Sequence, residues 1–186
     1  MNKTYKLPFL ENRNYLQSTT LFNFLVQKTS AQRNIPFKFI HPIYSDCFFL
    51  NTTMENAQAI FQYEENAELK TIAIHEEIQS NSLQREKYDE QAIINQAIFY
   101  EKTITTSITK ETFFPYAVAL IKELHARYLN KETGRWIFSR TDLIKLPENG
   151  VIEISLTKTL PILTCCTIKQ ENQEIGKIYF SWVEKI

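Results

Sequence analysis

The sequence predicts an α+β fold made of two tandem copies of one unit, a central helix wrapped by a curved antiparallel sheet. Three observations predict it. The order strand, helix, four strands occurs twice in 186 residues. Each helical stretch carries an apolar stripe at three- and four-residue steps. The stretch between the copies, 79–96, is polar and charged through NSLQREKYDEQ, as a connection crossing a surface would be. The units are placed at 1–82 and 83–186, fused into one compact body.

In the first copy, residues 5–10 read as a strand. Ser18, Thr19 and Thr20 have the side chains of a helix cap, and Leu21, Phe24 and Leu25 then fall at helical spacing, with Lys28 ending the stripe. Residues 37–45, FKFIHPIYS, alternate large apolar and other side chains, with Phe37, Phe39 and His41 on one face, a strand signature. Residues 48–52, 57–63 and 69–78 are further β-rich runs separated by spacers of hairpin length.

The second copy opens with a strand at 97–106, AIFYEKTITT. Thr112 then caps a helix over 113–129, in which Pro115 suits the first turn and Ala117, Leu120, Ile121, Leu124 and Tyr128 form the apolar stripe. Four strands follow at 135–145, 151–157, 162–169 and 175–184, with turn signals at 146–150 and 171–173. Identity between the copies is negligible, so what repeats is the pattern of elements. A helix ahead of a run of antiparallel strands has an economical solution, in which the twisted sheet wraps the helix and buries its stripe. Joining two such sheets edge to edge removes two strand edges that would invite aggregation.

Composition narrows the function classes. The 21 basic and 21 acidic residues cancel, so no field of one sign draws in a nucleic acid or a membrane surface. No apolar run has the length of a signal peptide or a spanning helix, and the expectation is a cytoplasmic protein without membrane insertion. Cys47 and the adjacent Cys165 and Cys166 suit neither a disulfide framework nor a zinc knuckle and read as buried free thiols. Glycine occurs only at Gly134, Gly150 and Gly176, too sparse for the loops that cradle phosphates. Beyond the run His75, Glu76, Glu77, no His, Cys or carboxylate group has ligand spacing, so neither metal nor cofactor is expected.

The segment FKFIHPIYSDCFFL, residues 37–50, resembles a stretch of R-specific enoyl hydratases and related acyl-thioester enzymes. That stretch runs arginine-phenylalanine, two variable residues, proline, a hydrophobic residue, two variable residues, aspartate and a hydrophobic strand; here Ser45 stands for the glycine usual before the aspartate. The stretch from Thr112 through Pro115 to Ile121 is similar to the start of the central helix in β-hydroxyacyl-carrier-protein dehydratases. Tyr116 replaces their glycine, the place of their catalytic acid falls near Ile121, and Glu123 lies on another face. Together with the doubled order, these segments resemble the hot-dog superfamily, in its double hot-dog form. The resemblance implies an acyl thioester carried by coenzyme A or an acyl carrier protein. It also implies a helix N-terminus that activates the thioester carbonyl, and a nearby His, Asp or Glu acting as acid, base or water activator. Hydrolysis of the thioester and dehydration of a 3-hydroxyacyl group, in lipid or polyketide-type metabolism, are the implied reactions.

On that resemblance the candidate catalytic residues are His41 and Asp46, and the loop entering the first helix supplies Asn14, Tyr15, Gln17, Ser18 and Thr19 for a thioester or its pantetheine arm. The plain alternative for the loop is a polar entry to a capped helix. The hydratase signature of aspartate, asparagine and histidine before the helix is absent, since no carboxylate or histidine follows Glu11 there. His41 also fits a partly buried structural histidine. His75 sits at a strand end, and His125 reads as the flank of the second helix. A site surviving in one half is expected near the first helix start, built with residues from both halves. The thirteen phenylalanines serve either sheet-on-helix packing or the lining of an acyl tunnel. Acyl-coenzyme A or an acyl carrier protein is the expected partner, nucleic acid is not, and a homodimer stays open. The rival function is a catalytically silent hot-dog scaffold of an assembly line, and the rival architecture is an ordinary α+β domain with a coincidental repeat.

Overall fold

A one-striped helix and alternating strands each leave an apolar face that must be covered, and each unit of this chain covers it by setting a helix on an antiparallel sheet. The computed structural model describes residues 4–10, 13–51, 54–77, 85–129 and 133–184. It divides into two units, Met1–Tyr88 and Asp89–Ile186. The boundary expected between 82 and 83 lies outside the described residues, as do Asn12 and Thr52 of the predicted loop and strand.

The first unit runs β1 (Thr4–Tyr5), β2 (Phe9–Leu10), α1 (Ser18–Thr29), β3 (Arg33–Phe39), β4 (Cys47–Leu50), β5 (Ala59–Glu65), β6 (Glu68–Glu76) and β7 (Arg85–Glu86). Its sheet has the order β1-β4-β6-β5-β3, antiparallel throughout. A separate parallel pair joins β2 to β7. The β5–β6 hairpin turns on Asn66 and Ala67, both at positive φ, the mirror-image turn whose twist matches the strands. α1 buries Leu21, Phe22 and Leu25. The Phe22 ring sits 5.6 Å from Phe37 on β3 and 6.1 Å from Phe61 on β5, so one aromatic cluster closes the core beneath the helix.

Two expectations for this unit change. The strand predicted over 37–45 is β3 at Arg33–Phe39 followed by a loop: the Ile40 and His41 N–H groups both donate to the Gln58 carbonyl, at 2.7 and 3.0 Å, and Pro42 has no N–H to continue a ladder. His41 and Asp46 therefore stand on a loop. The strand predicted over 5–10 is the two short strands β1 and β2, with Pro8 between them.

The second unit runs α2 (Glu90–Asn95), β8 (Ile98–Tyr100), β9 (Thr103–Ile108), α3 (Phe113–Tyr128), β10 (Gly134–Lys145), β11 (Gly150–Thr159), β12 (Leu163–Gln170) and β13 (Gln173–Glu184). The sheet order is β10-β13-β12-β11-β9-β8, again antiparallel. α3 packs on β9, β10 and β11. Phe113, Phe114, Ala117, Leu120, Ile121 and Leu124 are buried along it, and the Phe114 ring meets Phe138 edge-on at 5.3 Å. α2 falls in the stretch read as a bare connection. Asp89 caps it, accepting the Ala92 N–H at 2.9 Å, and a Glu90–Lys122 ion pair of 2.5 Å ties it to α3. The single strand expected at 97–106 is the hairpin β8–β9, which turns at Glu101 with φ of 47°. Among the described residues no helix is long and apolar enough to cross a membrane.

Candidate functional site

α1 begins without a side-chain cap. Gln17 occupies the N-cap position in extended conformation, and the first-turn hydroxyls belong to the helix itself rather than preceding it. The first intrahelical bond runs from the Leu21 N–H to the Gln17 carbonyl, leaving the Ser18, Thr19 and Thr20 N–H groups without an intrahelical acceptor. The Gln17 Nε2 is itself buried with no hydrogen-bond partner among the described residues. The helix start thus has backbone donors without an intrahelical acceptor, where the macrodipole adds partial positive charge, and an N-cap residue with a buried side-chain amide lacking a partner among the described residues. Ser18 and Thr19 are buried, Tyr15 is half-buried, and Asn14 is exposed.

The loop that enters α1 is anchored by Leu16, 1% exposed, whose N–H donates to the Ile43 carbonyl at 2.7 Å. That bond brings the 40–46 loop alongside the helix entrance. Within the loop Ile43 is buried and Tyr44 exposed. His41 points outward, and its imidazole makes no hydrogen bond among the described residues. Asp46, in contrast, is 2% exposed. The two candidate catalytic residues thus share a loop without forming a hydrogen-bonded pair. Cys47, next along, is fully buried; burial first, then the neighbouring Asp46 and Glu76 carboxylates, push its thiol up to about 12, which leaves it an inert core group. His75, on β6, stacks on Phe48 at 5.4 Å.

Thr112, expected to cap α3, makes no side-chain cap hydrogen bond either, its hydroxyl turning to Thr109, but the start of α3 is otherwise built differently. Thr109 and Thr112 bond each other, the Thr109 N–H reaching Thr112 Oγ1 at 2.8 Å, and the Phe113 N–H donates to the Thr109 carbonyl at 2.9 Å. Pro115 has no N–H, and Phe113 and Phe114 are both fully buried. Two turns on, Ile121 lies in the core and Glu123 is engaged with Arg127 at 2.8 Å.

No protein-family model matches the sequence, and no curated protein matches it. The structure has clear likenesses. It is similar to the tesB protein of Mycobacterium avium subs paratuberculosis, with a TM-score of 0.54 and 8% identity over 95% of this chain and 90% of that one. It is also similar to a candidate thioesterase II from Thermobifida fusca, with a TM-score of 0.50 and 8% identity over 94% of this chain and 89% of that one. The chain has the hot-dog fold.

On this hot-dog fold the residues expected from sequence separate into two groups. Gln17, Ser18, Thr19 and the 40–46 loop stand together at the start of α1, whereas His125 stands apart in the other unit. It does not lie on a helix flank: it is 2% exposed, shares a 3.0 Å hydrogen bond between Nε2 and Thr164 Oγ1, and sits 5.1 Å from both Trp136 and Phe180. Burial holds its pKa down at about 4, so it is a neutral core histidine at neutral pH. Sequence reasoning missed Gln58 and Glu76, which bond the 40–46 loop from β5's approach and from β6. Only the clustering of Glu76 with His75 and Glu77 marked that segment at all, and nothing in it pointed to the loop.

Proposed function

We propose that the protein is a double hot-dog protein that binds an acyl thioester, carried by coenzyme A or an acyl carrier protein, at the start of α1. The observation that carries this reading is the uncapped helix start with the unpartnered Gln17 amide beside it. A thioester carbonyl oxygen is an acceptor that those donors fit, and donors aimed at an oxygen that gains negative charge favour attack on the carbonyl carbon. The matching element order of the two units, each with one central helix, supports the double form, and the fold likeness to a candidate thioesterase II supports the substrate class. On this reading Asn14 and Tyr15 receive the pantetheine arm, and Asp46 and His41 are the candidates to handle a proton or a water. Hydrolysis and dehydration of a 3-hydroxyacyl group are the two reactions in view, in a cytoplasmic setting.

The test is to titrate the full chain with acyl-coenzyme A of several chain lengths and with 3-hydroxyacyl carrier proteins. Binding is followed by calorimetry, hydrolysis by release of free thiol, and dehydration by loss of water in the mass spectrum. Saturable binding is expected. Absence of binding across the panel would remove the reading.

The second reading is a catalytically silent hot-dog protein that holds an acyl carrier without converting its cargo. It is favoured by one observation, the exposed His41 imidazole that makes no hydrogen bond to the buried Asp46. Binding without turnover would select it, and turnover lost in His41→Ala or Asp46→Asn would exclude it.

A further inference from the structure

We propose that Glu76 is a positioning residue of this site, holding the 40–46 loop, and with it His41 and Asp46, against the entrance of α1. The proposal rests on the reading of the α1 start as the thioester site. It identifies what keeps the two halves of that site in register.

The loop needs a fixed frame because it has left the strand ladder, and backbone groups outside a ladder must find other partners. Glu76, at the end of β6, supplies much of it. One oxygen of its carboxylate, Oε1, accepts the Tyr44 N–H at 2.6 Å and lies 3.1 Å from Ser45 Oγ, whose one proton has the nearer Glu77 carbonyl as its acceptor. Its own N–H donates to Gln58 Oε1 at 3.1 Å, and the Gln58 carbonyl takes the Ile40 and His41 N–H groups. Ser45 Oγ also reaches the Glu77 carbonyl at 2.7 Å, and the Glu77 N–H donates to the Asp46 carbonyl at 2.8 Å. The 40–41 end of the loop is therefore tied to Gln58 and Tyr44 to Glu76, which bond each other, while Asp46 is held by the neighbouring Glu77 N–H.

The middle of the loop then passes the restraint on. Ile43 is fully buried and its carbonyl holds the Leu16 N–H, one residue before the Gln17 cap. Moving Tyr44 off Glu76 would move the neighbour of the group that fixes the α1 entrance. Among the described residues Glu76 makes no ion pair, so its carboxylate faces the loop rather than a lysine or arginine. Hydrogen bonds from a backbone N–H to a carboxylate are shorter and stronger than those to a neutral acceptor, which suits a clamp at a partly exposed edge.

The experiment compares Glu76→Ala with Glu76→Gln in the full chain. Hydrogen exchange is read in peptides covering 14–17 and 40–46, and affinity is measured for acetyl- and octanoyl-coenzyme A. Glu76→Ala is expected to speed exchange in both peptides by about tenfold while peptides from α3 and β13 keep their rates, and to weaken acyl-coenzyme A binding by about tenfold. Glu76→Gln keeps an acceptor oxygen and should restore most of both. Unchanged exchange at 40–46 in Glu76→Ala, or a glutamine variant as damaged as the alanine one, would overturn the proposal. Where Glu76→Ala fails to fold, Glu76→Asp draws the carboxylate back from the Tyr44 N–H and is read in the same way: faster exchange at 40–46 supports the clamp and unchanged exchange overturns it. If the parent chain binds neither ligand, the functional reading falls on its own, and exchange alone decides whether Glu76 holds the loop.

Discussion

α1 and α3 are the two longest helices among the described residues; both start without a side-chain cap hydrogen bond, and they differ in what takes the backbone donors of the first turn. At α1 the Ser18, Thr19 and Thr20 N–H groups have no intrahelical acceptor, and Gln17 brings a further donor with no partner among the described residues. At α3 the Phe113 N–H is taken by the Thr109 carbonyl, residue 115 is a proline, and the flanking rings of Phe113 and Phe114 are buried. A helix start always creates orphan donors, but it becomes a binding site only where the chain leaves them unfilled. The first unit leaves these donors without an intrahelical acceptor, and the second has packed the corresponding position into core.

The sharpest way to break this comparison is to cut into the α3 start. Phe114→Ala removes a fully buried ring packed edge-on against Phe138, and should cost about 3–5 kcal/mol of stability in denaturant unfolding. A much smaller loss would mean that the α3 start is not the packed position described here.

Next in size is the pH response of His125. Its folded pKa is lowered to about 4 by burial, against an ordinary value of 6.5. The unfolded chain therefore takes up the proton first, so stability is full above about pH 6.5, falls as the pH drops toward 4, and levels off below that. The total loss should be roughly 3 kcal/mol. Denaturant midpoints measured from pH 7.5 to 3.5 should show a component that disappears in His125→Leu; a drop of the same size in that variant would assign the effect to other groups.

Gln17→Leu tests the open helix start. It removes the unpartnered donor, so acyl-thioester affinity should fall about tenfold while stability changes by less than about 1 kcal/mol. If affinity holds and stability falls, the amide is structural and the contrast between the two helix starts narrows. The smallest effect is expected for His41→Ala, whose exposed ring should leave stability within about 0.5 kcal/mol. A larger loss of stability would show that the imidazole has a structural partner.

What was legible in the sequence follows from which signals are local. α3 was expected at 113–129 and occupies Phe113–Tyr128, because Pro115 and the stripe from Ala117 to Leu124 act within a few turns, although Thr112 makes no side-chain cap hydrogen bond. Residues 40–45 were read as strand because the alternation of Phe37 and Phe39 continues to His41. Periodicity registers side-chain faces, yet here the Ile40 and His41 backbone groups turn to Gln58. α2 was missed because six residues make no stripe, although Asp89 three positions ahead of Ala92 is a usable cap signal. Ser18 was taken for a cap because its side chain suits one, whereas packing carries the helix back to it and leaves Gln17 outside.

The sequence alone determined the two long helices and most of the strands that follow each of them, since apolar spacing and turn residues act between near neighbours. Tertiary structure decided which polar groups are satisfied. Thr164 meets His125 across 39 positions and Glu76 meets Tyr44 across 32. Such partners are chosen by the packing of sheets and helices, so the open donors at α1 and the closed ones at α3 appear only once the chain has folded.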